Sequence, residues 1–271
     1  MMNIRSLFPK KLRLIVLFVV LTLLTQVGGI IWFAIRGIGR RFSQKWKIQL
    51  AINLVIYVMI TLTIVPLLAQ IGGRVAMPIF ATSKTPVAPR SFLFVVFNRH
   101  YVKKDVREVV FRAARNLSAQ YPKSVVHYLD GGFPFWDKFA MLPHLSHSGG
   151  EAIDLAFCYH KKGDPSKYKG SPSPIGYMIY ERPKPNEYQP YRSKRSPLRW
   201  DLPFVQWMRM GRRVDRDRTR YLLRELLSDS RTKRVLLEVH LHRRWGIVHH
   251  KLRFQQLHAA RHDDHLHLWV K

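Results

Sequence analysis

Two stretches of the sequence gather side chains able to hold a metal and move protons. Residues 261 to 271 read RHDDHLHLWVK, with three histidines and two aspartates in the six positions 262 to 267. Upstream, residues 143 to 159 read PHLSHSGGEAIDLAFCY, where His147 and Asp154 stand seven apart around Gly149 and Gly150. Paired glycines let a backbone turn tightly because no Cβ resists positive φ. The run AIDLAF then resumes a strand pattern, so a loop histidine can fold back over a strand aspartate. His265 and His267 are two apart in what reads as a strand, which puts both on one face. Zinc accepts imidazole nitrogen and carboxylate oxygen, and a catalytic zinc keeps three protein ligands and one open position. His147, Asp154 and His267 fill the three places, and His265 is left beside them as a base.

Each piece alone is common: an H-x-H is often a surface accident, and a single strand aspartate is usually paired or solvated. The chain has 13 histidines, and HLH at 240 to 242 and HH at 249 and 250 read as surface or structural groups. The joint pattern, H-x-x-H-x-x-G-x-A-x-D followed by H-x-x-H-x-H, is what carries the metal reading.

The elements that would position these groups follow from periodicity. Residues 91 to 97, SFLFVVF, read as a short strand. From Asp105 to Tyr121, Val106, Val109, Val110, Ala113 and Leu117 recur at helical spacing, with Asp105 as N-cap and Pro122 as the stop. SVVHYLD at 124 to 130 reads as a strand, DRTRYLLRELLS at 217 to 228 as an amphipathic helix, RVLLEVHL at 234 to 241 as a buried strand, and HLHLWV as the last strand. Residues 161 to 203, rich in proline, lysine and arginine, read as a surface excursion, either a wall of the substrate cleft or a passive loop. Mixed strands and helices with an early helix indicate an α+β fold.

Two uncharged apolar runs precede this domain, at about 14 to 35 and 50 to 71, each long enough to cross a hydrocarbon core as a helix. They predict a two-helix membrane anchor over residues 1 to 71, a Gly/Pro/Ala-rich linker over 72 to 91, and a domain over 92 to 271. The first run also fits a signal peptide, but no A-x-A-like cleavage site follows it. The net charge is +29, from 46 Lys and Arg against 17 Asp and Glu. No acid occurs before Asp105, so 15 of the basic residues surround the apolar runs, where they attract anionic headgroups and set topology. The link RGIGRRFSQKWK favours a cytoplasmic position, whereas Arg5, Lys10, Lys11 and Arg13 in the N-terminal tail pull the other way. The remaining charge suits an anionic partner, and a membrane-tethered nucleic-acid binder is one alternative. No nucleic-acid motif accompanies it, so no specific nucleic acid is expected as partner. The single cysteine, Cys158, excludes an internal disulfide.

The two motifs resemble those of the LAS metallopeptidases, which group D-Ala-D-Ala carboxypeptidases and dipeptidases with murein endopeptidases and hedgehog-type domains. Their S-x-H-x-x-G-x-A-x-D motif matches at His147, Gly150, Ala152 and Asp154, while Leu145 stands where the serine belongs and Ser146 comes one place late. The chain is similar to the penicillin-insensitive murein endopeptidase branch, in which a further histidine stands three residues before the first ligand, as His144 does. That branch closes with H-x-x-H-x-H, matched by His262, His265 and His267. The resemblance implies a small antiparallel sheet with flanking helices and a Zn2+ ion on His147, Asp154 and His267. It also implies His265 as catalytic base and His144 and His262 as pocket residues. His262 or Arg261 would steady the developing oxyanion, and Asp263 and Asp264 would orient imidazoles or form a turn. The implied substrate is a peptide bond in peptidoglycan, commonly one involving D-alanine, cleaved at the outer face of the cytoplasmic membrane. An inactive relative that only binds wall peptides is the other alternative.

Overall fold

The computed structural model describes residues 9–141, 145–188, 199, 201–254 and 260–271. Four helices come first: α1 (Lys10–Thr25), α2 (Gly28–Ile35), α3 (Ile38–Phe42) and α4 (Trp46–Ile71). Then follow β1 (Arg74–Ala76), β2 (Val87–Pro89), α5 (Leu93–Val96), β3 (Tyr101–Lys103), α6 (Lys104–Gln120) and β4 (Val126–Tyr128). The remainder is β5 (Ala152–Ala156), β6 (Tyr159–Lys161), β7 (Asp164–Lys169), β8 (Arg212–Val214), α7 (Arg216–Ser228), β9 (Thr232–Leu236), α8 (Val239–Trp245), β10 (Leu252–Arg253) and β11 (His265–Val270). The fold is α+β, as expected, but its largest sheet is mixed rather than antiparallel. Its order is β10-β9-β11-β5-β4-β2, with β10 parallel to β9 and β2 parallel to β4. The centre of the sheet is antiparallel, β11 lying between β5 and β9.

The second apolar run forms one 26-residue helix, long and apolar enough to cross a membrane, and it is the only such helix among the described residues. The first run does not. It breaks at Gln26, and α2 folds back along α1, so that the Phe18 and Phe33 rings lie 6.3 Å apart; in one straight helix they would be about 22 Å apart. A Cβ on Gly29 would come within 2.1 Å of Thr22 Oγ1, so this close approach requires glycine. The cause of the break is a tertiary contact that a hydropathy window cannot register. Gln26 is fully buried, its amide nitrogen donates to the Trp136 carbonyl at 3.1 Å, and its side-chain oxygen accepts from the Phe135 N–H at 2.8 Å.

Helix α6 buries Val106, Val109, Val110, Ala113, Ala114 and Leu117, the face its periodicity predicts, the valines and Leu117 each contributing about 1.5–3 kcal/mol. It starts at Lys104, so Asp105 sits in the first turn and not at the cap. Helix α7 buries Leu222, Leu223, Leu226 and Leu227 and is capped by Asp215, whose carboxylate accepts from the Arg218 N–H at 3.0 Å. Both helices join the core cluster that includes Leu155, Val235, Leu266 and Leu268 of the sheet.

Three strand expectations change. SFLFVVF contains the short helix α5, with Leu93 exposed and Phe94 and Val95 buried, a helical and not an alternating pattern. RVLLEVHL leaves the sheet at Leu236, and its second half begins α8, because the buried Glu238 carboxylate is held by Arg199 and by the His262 N–H at the junction. Residues 161 to 203 open with β7, which joins β6 and β8 in a three-stranded sheet. The stretch read as a linker contributes β1, paired with β3, and β2, an edge of the large sheet.

Candidate metal centre

The cluster is assembled by register. In the β11–β5 pair His267 lies directly opposite Asp154, so both side chains leave the same face, where cross-strand neighbours have Cβ atoms about 5 Å apart. His267 Nδ1 and Asp154 Oδ1 are 2.8 Å apart. His147 arrives from above, at the end of the 3-10 turn Leu145–His147. Its carbonyl accepts from the Gly150 N–H at 3.0 Å. Gly150 has φ +65°, and a Cβ there would come within 1.5 Å of the Arg74 guanidinium, so both conformation and space demand glycine. His147 Nε2 thereby comes within 3.3 Å of Asp154 Oδ2. One ligand atom from each of His147, Asp154 and His267 lies within 4.8 Å of the others, and all three residues are buried.

The electrostatics suit a divalent cation. Metals bind neutral imidazole and ionised carboxylate. Burial pushes His267 down to about 4, with Asp154 opposing and the His147 and His265 rings assisting. Burial alone would raise Asp154, but His147, His265 and His267 hold its carboxyl well below the usual carboxylate range. His267 Nε2 is buried without a hydrogen-bond partner among the described residues.

Around this group the structure places residues the sequence reading foresaw and some it missed. His265 packs beside the cluster with Nε2 3.7 Å from Asp154 Oδ1, while its Nδ1 meets Asp264 Oδ1 at 2.5 Å. Burial lowers its proton affinity, yet Asp154 and Asp264 raise its pKa to about 9. His262 packs near both, its ring 4.9 Å from His265 in a tilted contact and 5.6 Å from His267 edge-on. Arg261 is engaged elsewhere, bound to Asp263 at 3.0 Å through Nε and lying 4.1 Å over the Tyr180 ring. His144 lies outside the described residues.

Sequence reasoning missed Tyr177 and Arg74. The Tyr177 hydroxyl donates to Asp154 Oδ2 at 2.7 Å and accepts from the Asp130 N–H at 3.2 Å. Burial, then Asp154 and Asp130, hold that phenol far above its usual pKa, so it stays a donor. Tyr177 comes from the 161 to 203 excursion, which therefore contributes to the site. Arg74 is buried under the glycine turn, paired with Asp137 and donating to the Ser148 carbonyl at 3.3 Å. The only signal for either was composition: a GYM turn in a proline-rich stretch, and an arginine directly after paired glycines.

Comparison with protein-family models and with curated proteins found no match.

Proposed function

We propose that the chain is a membrane-anchored, zinc-dependent peptidase that hydrolyses peptide bonds in peptidoglycan, in D-Ala-containing stem peptides or cross-links. The observation that carries this reading is the buried convergence of His147, Asp154 and His267, with a fourth imidazole, His265, 3.7 Å from the shared carboxylate. The three would hold the ion. When bound there, zinc supplies Lewis acidity toward a carbonyl oxygen and toward water, and its charge lowers the proton affinity of nearby imidazoles. His265 takes a proton from the attacking water and returns it to the leaving amine, as general acid–base catalysis requires. Asp264 fixes which nitrogen does this: it occupies Nδ1, so Nε2 faces the cluster. Tyr177 and the Asp130 backbone brace the outer oxygen of Asp154, an arrangement that keeps a ligand carboxylate oriented.

The helical segment supports an anchor whose basic end is cytoplasmic. The fold-back of α2 on α1, together with the packing of Gly39 against Gln49 and Asn53 of α4, sets the starts of α1 and α4 toward one end. Lys11 and Arg13 at the start of α1 and the basic residues of the link then share a side, and their pulls on topology add. The α+β body follows the other end of α4 and would face the cell wall.

The test is digestion of purified peptidoglycan by the full chain in detergent, with and without a chelator, and mass spectrometry of the released fragments. New amino and carboxyl termini at D-alanine that vanish with chelator and return with zinc are expected. Zinc bound at one equivalent, peptidoglycan left intact and the chain co-sedimenting with it would instead identify a wall-peptide binder.

A further inference from the structure

Away from the metal cluster, the structure contains a cleft of about 710 Å3 whose lining is cationic. Seven of its 13 lining residues are Lys or Arg, against a single carboxylate, Glu181. Three of the seven are occupied. Arg209 and Arg244 pair with Glu181, and Arg244 also holds Glu187; Arg212 donates to the Gly170 and Ser171 carbonyls at 2.9 and 2.8 Å. The other four, Lys162, Lys184, Arg213 and Arg216, are exposed. None of them has a carboxylate within 4.0 Å among the described residues. They converge because β8 pairs with β6 in the small sheet and α7 begins two residues after β8. Arg209 adds a buried Nε without a hydrogen-bond partner among the described residues.

Like charges brought together in a concave wall repel one another, and uncompensated repulsion of this kind persists where a ligand of opposite charge relieves it. Guanidinium and ammonium groups in such numbers match the oxygens of clustered phosphates, which guanidinium binds in bidentate fashion. The volume suits a small ligand. We propose that this cleft is a binding site for a ligand carrying two or more neighbouring phosphoryl groups. Its source is either soluble or a lipid headgroup, since Met210 in the wall and Trp207 and Phe204 on the adjoining 3-10 turn (Pro203–Arg209) are strongly exposed apolar side chains. The cleft is linked to the metal centre through one wall: the Glu181 N–H donates to the Asp263 carbonyl at 2.6 Å, two residues before His265. The proposal does not depend on the peptidase reading.

The test uses the full chain in phosphatidylcholine nanodiscs, titrated with pyrophosphate in a calorimeter. Saturable binding is expected, weakened at least about tenfold in Arg213→Ser/Arg216→Ser and unchanged in Arg40→Ser/Arg41→Ser, whose exposed arginines lie on α3. Repeating the titration in nanodiscs containing cardiolipin separates the sources: lost pyrophosphate binding there assigns the cleft to a lipid headgroup, retained binding to a soluble ligand. Absence of saturable binding, an undiminished affinity in Arg213→Ser/Arg216→Ser, or an equal loss in the α3 pair overturns the proposal.

Discussion

The two sheets handle charge in opposite ways. At the centre of the six-stranded sheet the metal-cluster groups are buried and their carboxylates are surrounded by donors: Asp154 by three imidazoles and a phenol, Asp264 by His265 and the Met178 N–H. On the three-stranded sheet, cations stand exposed with few counter-charges. The difference teaches where specificity resides. A buried charge without a partner costs several kcal/mol, so the interior cluster must be nearly complete and can accept only a group that fits its remaining gap. An exposed cation tolerates solitude and selects by charge and spacing.

The contrast breaks most completely at His267. His267→Ala is expected to lose bound zinc and hydrolysis together, whereas His265→Ala keeps zinc and loses about 10³-fold in rate, checked by metal analysis beside a peptidoglycan assay. Full activity in both variants would sink the assigned roles. Next in size is Gly150→Ala, which forces a side chain into φ +65° and against the Arg74 guanidinium; a loss of about 2 kcal/mol in stability by chemical denaturation is expected. Tyr177→Phe removes the brace on Asp154 without emptying the volume, and zinc affinity should fall about 10- to 100-fold in a competition titration.

A further test sharpens the interior half of the comparison through pH. Burial pushes His100, which is 1 % exposed, down to about 4 from 6.5. Above 6.5 neither the folded nor the unfolded chain protonates it, and it contributes nothing. As pH falls from 6.5 toward 4, the unfolded chain takes a proton that the folded chain refuses, so stability drops. His100→Gln should flatten the dependence of the urea midpoint on pH across that window, and an unchanged slope would show that His100 is not its source.

The sequence disclosed the site better than the scaffold, for a physical reason. His147, Asp154 and His267 were legible because a glycine pair and a strand period of two dictate where side chains point, and the register of β11 on β5 follows from apolar alternation. Helices α6 and α7 were legible because each lays one apolar stripe on the core. What escaped depended on partners distant in the chain. Gln26 breaks an apolar run by bonding to residues 109 and 110 positions away. Glu238 ends a strand by gathering Arg199 and His262. Short runs such as SFLFVVF fit either period, and only the burial of Phe94 and Val95 decides.

Only Gly72 and Gly73 separate Ile71 at the end of α4 from Arg74, whose guanidinium braces the turn carrying His147. Tyr57 of α4 also donates to the Val96 carbonyl at 2.8 Å. The α+β body is therefore bolted to the long apolar helix, with no leash on which to swing. If that helix is the anchor proposed above, the mouth of the metal cluster would work at a fixed height above the bilayer, and only wall strands passing through that layer would come within its reach.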